Sequence, residues 1–192
     1  MSTLVTYAKI FAIAAHEAVG QKRKFTYEPY YTHVIEVGDL LREFYMPASV
    51  IAAGYLHDTV EDTQISLSMI REHFGNEVTY IVDMLTEDKS IVRKTRKELT
   101  REKFKHAPLL VRCAKIADMI SNTHSLPTHV DSDPGFKKWR DIYLNEQSLL
   151  YGIMAQFDPV DLMPSASHYR ESYFDLINLL KKTIDKQLET SV

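Results

Sequence analysis

Apolar residues in this chain recur at helical spacing, three and four positions apart, and no stretch alternates convincingly as a half-buried strand would. That pattern predicts an all-α fold. Leu4, Tyr7, Ala8, Phe11, Ala14, Ala15 and Ala18 share one stripe, which Gly20 would end. His33 opens a second helix, with Val34, Val37, Leu40, Leu41 and Phe44 on one side. Pro47 can start a third, carrying Val50, Ile51, Gly54 and Tyr55. Ser66 can cap a short helix to Gly75, and Asn76 another through Thr86. A charged helix is expected from about Ile91 to His106, and a buried one from Pro108 to about Asn122. Asp133-Pro134 suits the start of a further helix, with Phe136, Trp139, Tyr143, Leu150, Ile153 and Phe157 inward. The last carries Tyr173, Ile177, Leu180, Ile184 and Leu188. The sum is a compact fold of about eight to ten helices. The segment "QKRKFTYEPYYT" is polar, basic and aromatic, and Pro29 argues against helix there.

A chain of 192 residues, 45% of them apolar, can bury the core of one domain spanning 1–192. The net charge of -3 argues neither for nor against a nucleic-acid partner. Cys113 is the single cysteine, so no internal disulfide can form, which favours a reducing compartment. No basic segment followed by an apolar run marks a signal peptide. No apolar run approaches the roughly 20 residues of a membrane span. The expectation is a soluble, cytoplasmic protein, with its oligomeric state unread.

The stretch "AAGYLHDTVEDT", residues 52–63, turns from apolar to acidic within a few positions. Carboxylates crowded this closely repel, and burying them is costly without a partner. Two further residues suggest what compensates. His33 opens the preceding helix, and Asp118 is a lone acid in the apolar helix "RCAKIADMISN". His33, His57, Asp58 and Asp118 could surround one divalent cation, and this donor set suits Mn²⁺, Fe²⁺ or Zn²⁺. If the helix continues past Asp58, Glu61 and Asp62 fall on its face and could exchange protons with water or a leaving group. The alternative is a solvated acidic helix end.

The spaced set His33, His57-Asp58, Asp118 resembles that of HD-domain phosphohydrolases. The strings "GQKRK", "EPYYTH", "AAGYLHDTVEDT", "HFGNEV", "LTEDK" and "AKIADMISN" resemble the hydrolase domain of RelA/SpoT proteins and small stand-alone alarmone hydrolases, over about Tyr7 to Leu126. The helices across 134–190 would complete the bundle. The resemblance implies metal ligands at His33, His57, Asp58 and Asp118, with Mn²⁺ as the metal. It also implies an acidic catalytic pair at Glu61 and Asp62, a nucleotide-contacting pair at Arg23 and Lys24, and a ribose- or base-contacting Asn122. The implied reaction is hydrolysis of the 3′-pyrophosphate of ppGpp or pppGpp to GDP or GTP, with no synthetase motif alongside. The family pattern has a basic residue where this chain has Met119, and arginine where it has His124, whose imidazolium could contact phosphate. The loop "RKFTYEPY" is longer than the family's and lacks its glycine.

Other features carry less. Arg93, Lys97, Arg101 and Lys105 could form a positive stripe, but Glu98 and Glu102 dilute it, and a solvated face is the simpler reading. No nucleic-acid module accompanies it. Tyr27, Tyr30 and Tyr31 could stack on a base or simply pack around Pro29. His16, His73, His106, His129 and His168 read as structural or surface residues. Two other functions stay open. One is a relaxed nucleotide phosphohydrolase acting on adenine alarmones or NADPH; the other is a non-hydrolytic nucleotide-binding module.

Overall fold

The computed structural model describes residues 2–127, 134–156 and 168–189. The fold is all-α. In order the helices are α1 (Thr3–Val19), α2 (Tyr31–Glu43), α3 (Ala48–Leu56), α4 (Thr59–Asp62), α5 (Leu67–Leu85), α6 (Arg93–Lys105), α7 (Leu109–His124), α8 (Pro134–Ala155) and α9 (Arg170–Glu189). Among the described residues the sole extended pairing is an isolated bridge between Lys22 and Pro29. None of the described helices is long and apolar enough to cross a membrane.

The apolar helix α3 is the centre. Every residue from Ser49 to Leu56 is buried. Such a helix, greasy all round, must be surrounded, and α1, α2, α5 and α7 pack against it. On the other side α9 packs on α7, while α8 bridges α6 and α9. His57 and Asp58 therefore leave the C-terminal end of the most enclosed helix of the fold.

Several expectations shift in detail. The buried stripe of α1 is Val5, Ala8, Ala12 and His16, whereas Tyr7, Ala14 and Ala18 are exposed. An alanine-rich helix is apolar around most of its circumference, so spacing alone does not choose its face. α2 begins at Tyr31, before His33, because the Pro29 and Tyr30 carbonyls accept from the Thr32 and His33 amides and start the turn early. α3 ends at Leu56, and Glu61 and Asp62 belong to the separate short helix α4 rather than to a continuation. The two helices expected around Gly75 are one element kinked there, where φ is +80°. In α8 Met154 is buried and Ile153 only partly, and Leu188 of α9 is 45% exposed. Asp133, Phe157 and His129 lie outside the described residues.

Candidate metal centre and active site

Four donors from three helices and one turn converge at the end of α3. His33 comes from α2, His57 caps α3, Asp58 follows in the turn, and Asp118 comes from α7. His33 Nε2 is 3.2 Å from His57 Nε2 and 3.3 Å from Asp118 Oδ1. Asp58 Oδ2 is 3.1 Å from His57 Nε2 and 3.6 Å from His33 Nε2. Asp118 Oδ1 is 3.5 Å from His57 Nε2. Both imidazoles are buried.

The hydrogen-bond network fixes which nitrogens face the centre. His57 Nδ1 is 2.8 Å from the Gly54 carbonyl, which can only accept, so Nδ1 carries the proton. Ser121 Oγ donates to Glu36 and therefore accepts from His33 Nδ1 at 2.9 Å. The Nε2 lone pairs of both rings thus meet each other and two carboxylate oxygens. Only positive charge between them makes this arrangement tolerable. A proton on His57 supplies part of it: burial alone would lower its pKa, but Asp58 and Asp118 outweigh burial and hold it well above the ordinary value. A divalent cation would meet the same demand: His33, His57 and Asp58 offer donor atoms within 4.8 Å of one another, and Asp118 Oδ1 lies 3.3 Å from His33 Nε2, so the residues present fit a metal. Burial also works against ionised Asp58 and Asp118. The two histidines nevertheless hold Asp58 low, and Lys115 together with the histidines holds Asp118 low. Tyr30 OH donates to Asp58 Oδ2 at 2.6 Å, while Asn122 Nδ2 and Lys115 Nζ donate to the two oxygens of Asp118.

Glu61 and Asp62 stand on α4 beside this centre, tied to the α5–α6 linker. The Glu87 backbone N–H donates to Glu61 Oε2 at 2.9 Å, and Lys89 pairs with both acids. Gln21 donates to the other oxygen of Asp62 at 2.8 Å. Burial raises the Glu61 pKa and the Asp58 charge adds to this, against the Glu87 amide and Lys89. A polar cavity of about 150 Å³ runs along His57, Asp58, Glu61, Lys97, Lys115 and Asp118.

Tyr30, Asn122 and Tyr143 line both that cavity and a second one of about 190 Å³, which Arg23, Lys24, Phe25 and Trp139 also wall. Arg23 is 7% exposed, with its guanidinium on Glu36 at 3.0 Å and Ser125 Oγ at 2.7 Å. Lys24 Nζ sits 4.3 Å over the Trp139 ring. The Asn122 amide faces Asp118, which leaves its oxygen for a ligand. His124 is not brought to the site: it is exposed at the end of α7 and lines neither cavity. It lies six residues past Asp118, which on a helix is the far side.

Sequence reasoning passed over Lys115, Glu87, Lys89, Gln21, Trp139 and Tyr143. Lys115 had a readable signal, since a lone cation one turn before a lone acid in an apolar helix needs the same explanation as the acid. Trp139 and Tyr143 read as core because aromatic residues at four-residue spacing usually are. Of the residues that could have formed a positive stripe, Arg93 pairs with Glu146, and Lys97 with Glu87.

The chain is similar to known proteins. A family model described as "HD domain" matches residues 8–128. The guanosine-3′,5′-bis(diphosphate) 3′-pyrophosphohydrolase MESH1 of Xenopus tropicalis is 34% identical over 128 residues, covering 65% of this chain and 70% of that protein. A GTP pyrophosphokinase of Streptomyces coelicolor is 42% identical over 86 residues, and there the match spans only 10% of the longer protein. A solved structure of a metazoan ortholog of SpoT that hydrolyses ppGpp superposes with a TM-score of 0.78 at 25% identity, covering 97% of this chain and 96% of that one.

Proposed function

The chain belongs to the HD-domain family, and from that premise we propose that it is a metal-dependent hydrolase of the 3′-pyrophosphate of ppGpp and pppGpp, with Mn²⁺ as the ion. The observation that carries this reading is the meeting of two imidazole lone pairs and two carboxylates beside a separately held acidic pair. His33, His57, Asp58 and Asp118 would hold the ion. When bound, it supplies charge that offsets the developing anion and eases the ionisation of water.

The remaining chemistry falls to the protein's own groups. Water adds to the 3′-linked phosphorus, the bond from phosphorus to the ribose O3′ breaks, and pyrophosphate and GDP or GTP result. Asp62, held between Lys89 and Gln21, takes the proton from water. Glu61, whose burial favours its protonated form, returns one to O3′. Lys115 and Lys97 face the polar cavity and would meet the pyrophosphate oxygens. The base would enter the neighbouring cavity against Trp139 and Tyr143, with Asn122 between base and metal site and Lys24 free to leave the indole for a phosphate.

The test is incubation with ppGpp, pppGpp, ppApp and NADPH in Mn²⁺, Fe²⁺ or Zn²⁺, with products separated. GDP and pyrophosphate from ppGpp are expected, fastest with Mn²⁺. Release of phosphate from NADPH alone, or tight binding of ppGpp without turnover, would overturn the assignment.

A further inference from the structure

His16 belongs to no ligand or acid pair, yet it is 1% exposed in the last turn of α1. Gly20 follows in the left-handed region at φ 64° and turns the chain back, so that the Gln21 amide reaches the His16 carbonyl. The Gln21 carbonyl accepts from the Tyr30 amide at 2.9 Å. Main-chain bonds therefore hold Gln21 on both sides, and only its side chain is left to be aimed.

That side chain bridges two groups. Its Nε2 donates to Asp62 Oδ2 at 2.8 Å, and its Oε1 is 2.8 Å from His16 Nδ1. An ionised carboxylate only accepts, so Gln21 must turn its NH₂ to Asp62 and its oxygen to His16. His16 Nδ1 must then carry the proton. Nε2 is left as a bare lone pair, and among the described residues it has no partner. A buried unpaired nitrogen is destabilising, and a leucine would fill the same space without it. What the imidazole adds is one rigid donor. Without that donor the glutamine amide could turn over and set its oxygen against the carboxylate.

We propose that His16 is a positioning residue which, through the Gln21 side chain, aims and holds the Asp62 carboxylate. This rests on the proton-transfer role given to Asp62 above. The pairing of His16 with Gln21 and its ring contact with Tyr30, 5.1 Å between centroids, place it behind the site rather than in it.

The test uses the full chain and two independent readouts. Nitrogen NMR of the histidine rings reports the tautomer without any turnover, and the Nδ1–H form is expected at His16. Kinetics on ppGpp then compare His16→Leu, His16→Asn and Gln21→Leu, with melting and metal content measured on each. Misaiming a reacting group by a fraction of an ångström to one ångström costs on the order of ten- to a hundredfold. Both leucine variants should lose about that in kcat with KM little changed. His16→Asn, whose amide nitrogen can stand in for Nδ1–H, should recover most of it. Gln21→Leu, at a half-buried position, keeps the question decidable if His16→Leu does not fold. An Nε2–H tautomer, an asparagine variant as slow as leucine, or leucine variants with full kcat would each overturn the proposal. A wild-type protein inert toward ppGpp but showing Nδ1–H at His16 would instead sink the reaction assigned above and leave the hydrogen-bonded chain standing.

Discussion

His33 Nε2 faces His57 Nε2 at 3.2 Å, and each ring has already committed its Nδ1 proton, to Ser121 Oγ and to the Gly54 carbonyl. With both Nδ1 protons committed, the two Nε2 atoms can share that distance only with positive charge between them, part of which the proton held on His57 supplies. The fold holds them there through rigid elements: α2 and α3 pack directly, and the partners of both Nδ1 atoms are buried. A divalent cation between the rings would supply the rest, so the site is suited to positive charge.

Metal binding should therefore stabilise the fold measurably. At about a hundredfold excess over Kd, a ligand that binds only the native state adds about 2.7 kcal/mol. Addition of Mn²⁺ should raise Tm, and a chelator should reverse the rise. In Asp58→Asn and Asp118→Asn the rise should largely vanish along with activity. A Tm that responds to Mn²⁺ equally in wild type and both variants would place the ion elsewhere.

The acidic pair should separate from the ligand set by kinetics. Glu61→Gln and Asp62→Asn should keep the ion and lose about 10²–10⁴-fold in kcat, the range of general acid–base catalysis. The double variant should lose less than the product, because groups acting on one proton path are not additive. Metal content and single-turnover rates on the same preparations decide it. Loss of the metal in either single variant would make these acids ligands rather than proton carriers.

How much of this could be read beforehand depends on chain locality. The all-α class follows from spacing alone, and His57-Asp58 announces itself because charge follows immediately on the most apolar run. Asp118 was readable for the same reason in α7. What was not legible is side-chain direction. Arg23 sits beside Lys24 in the sequence, yet it turns inward to Glu36 and Ser125 while Lys24 lies over Trp139. His16 looked incidental because its partner, Asp62, is 46 positions away and reached through Gln21. The break between α3 and α4 leaves no glycine or proline signal in "LHDTVED". It follows from the conformation of the turn, where Asp58 has φ −96° and ψ −4°.

Arg23 and Trp139 should respond differently to truncation. Trp139→Ala removes a stacking face from the second cavity. Aromatic stacking on a base is worth about 1–3 kcal/mol, so KM should rise roughly five- to 150-fold with kcat little changed. Arg23→Ala instead deletes a buried guanidinium that ties the loop to α2 and α7. Charge-assisted bonds of this kind contribute about 1.5–3 kcal/mol, so stability should fall by about that much as well as affinity. Arg23→Ala with an unchanged Tm, or Trp139→Ala with an unchanged KM, would each refute its half of this contrast.

The last prediction concerns Glu87, which joins the acidic pair to the lysines. Its backbone N–H holds Glu61, while its carboxylate accepts from Lys97 at 2.8 Å and from Thr100 at 2.9 Å. Burial alone would raise its pKa, but Lys115, Lys97 and Thr100 outweigh burial and lower it below the ordinary value. A carboxyl whose pKa is depressed by folding adds stability that is fully present above its unfolded value, about 4.3, and lost as pH falls through the folded value. Glu87→Gln should therefore lower stability at neutral pH, by about 1.5–3 kcal/mol if the charge-assisted bonds are the main loss. The difference from wild type should then shrink as pH falls below about 4.3, because protonation removes the same charge from the native residue. Asp58 and Asp118 are also depressed and steepen the acid limb, but they do so in both proteins, so the difference between the two curves isolates Glu87. Urea unfolding at a series of pH values from neutral to acid, in the presence of chelator, measures it. A gap between wild type and Glu87→Gln that stays constant across that range would mean the carboxylate charge is not what Lys97 and Arg96 hold, and that the linker is fixed by its main-chain bonds to Glu61 and Lys103.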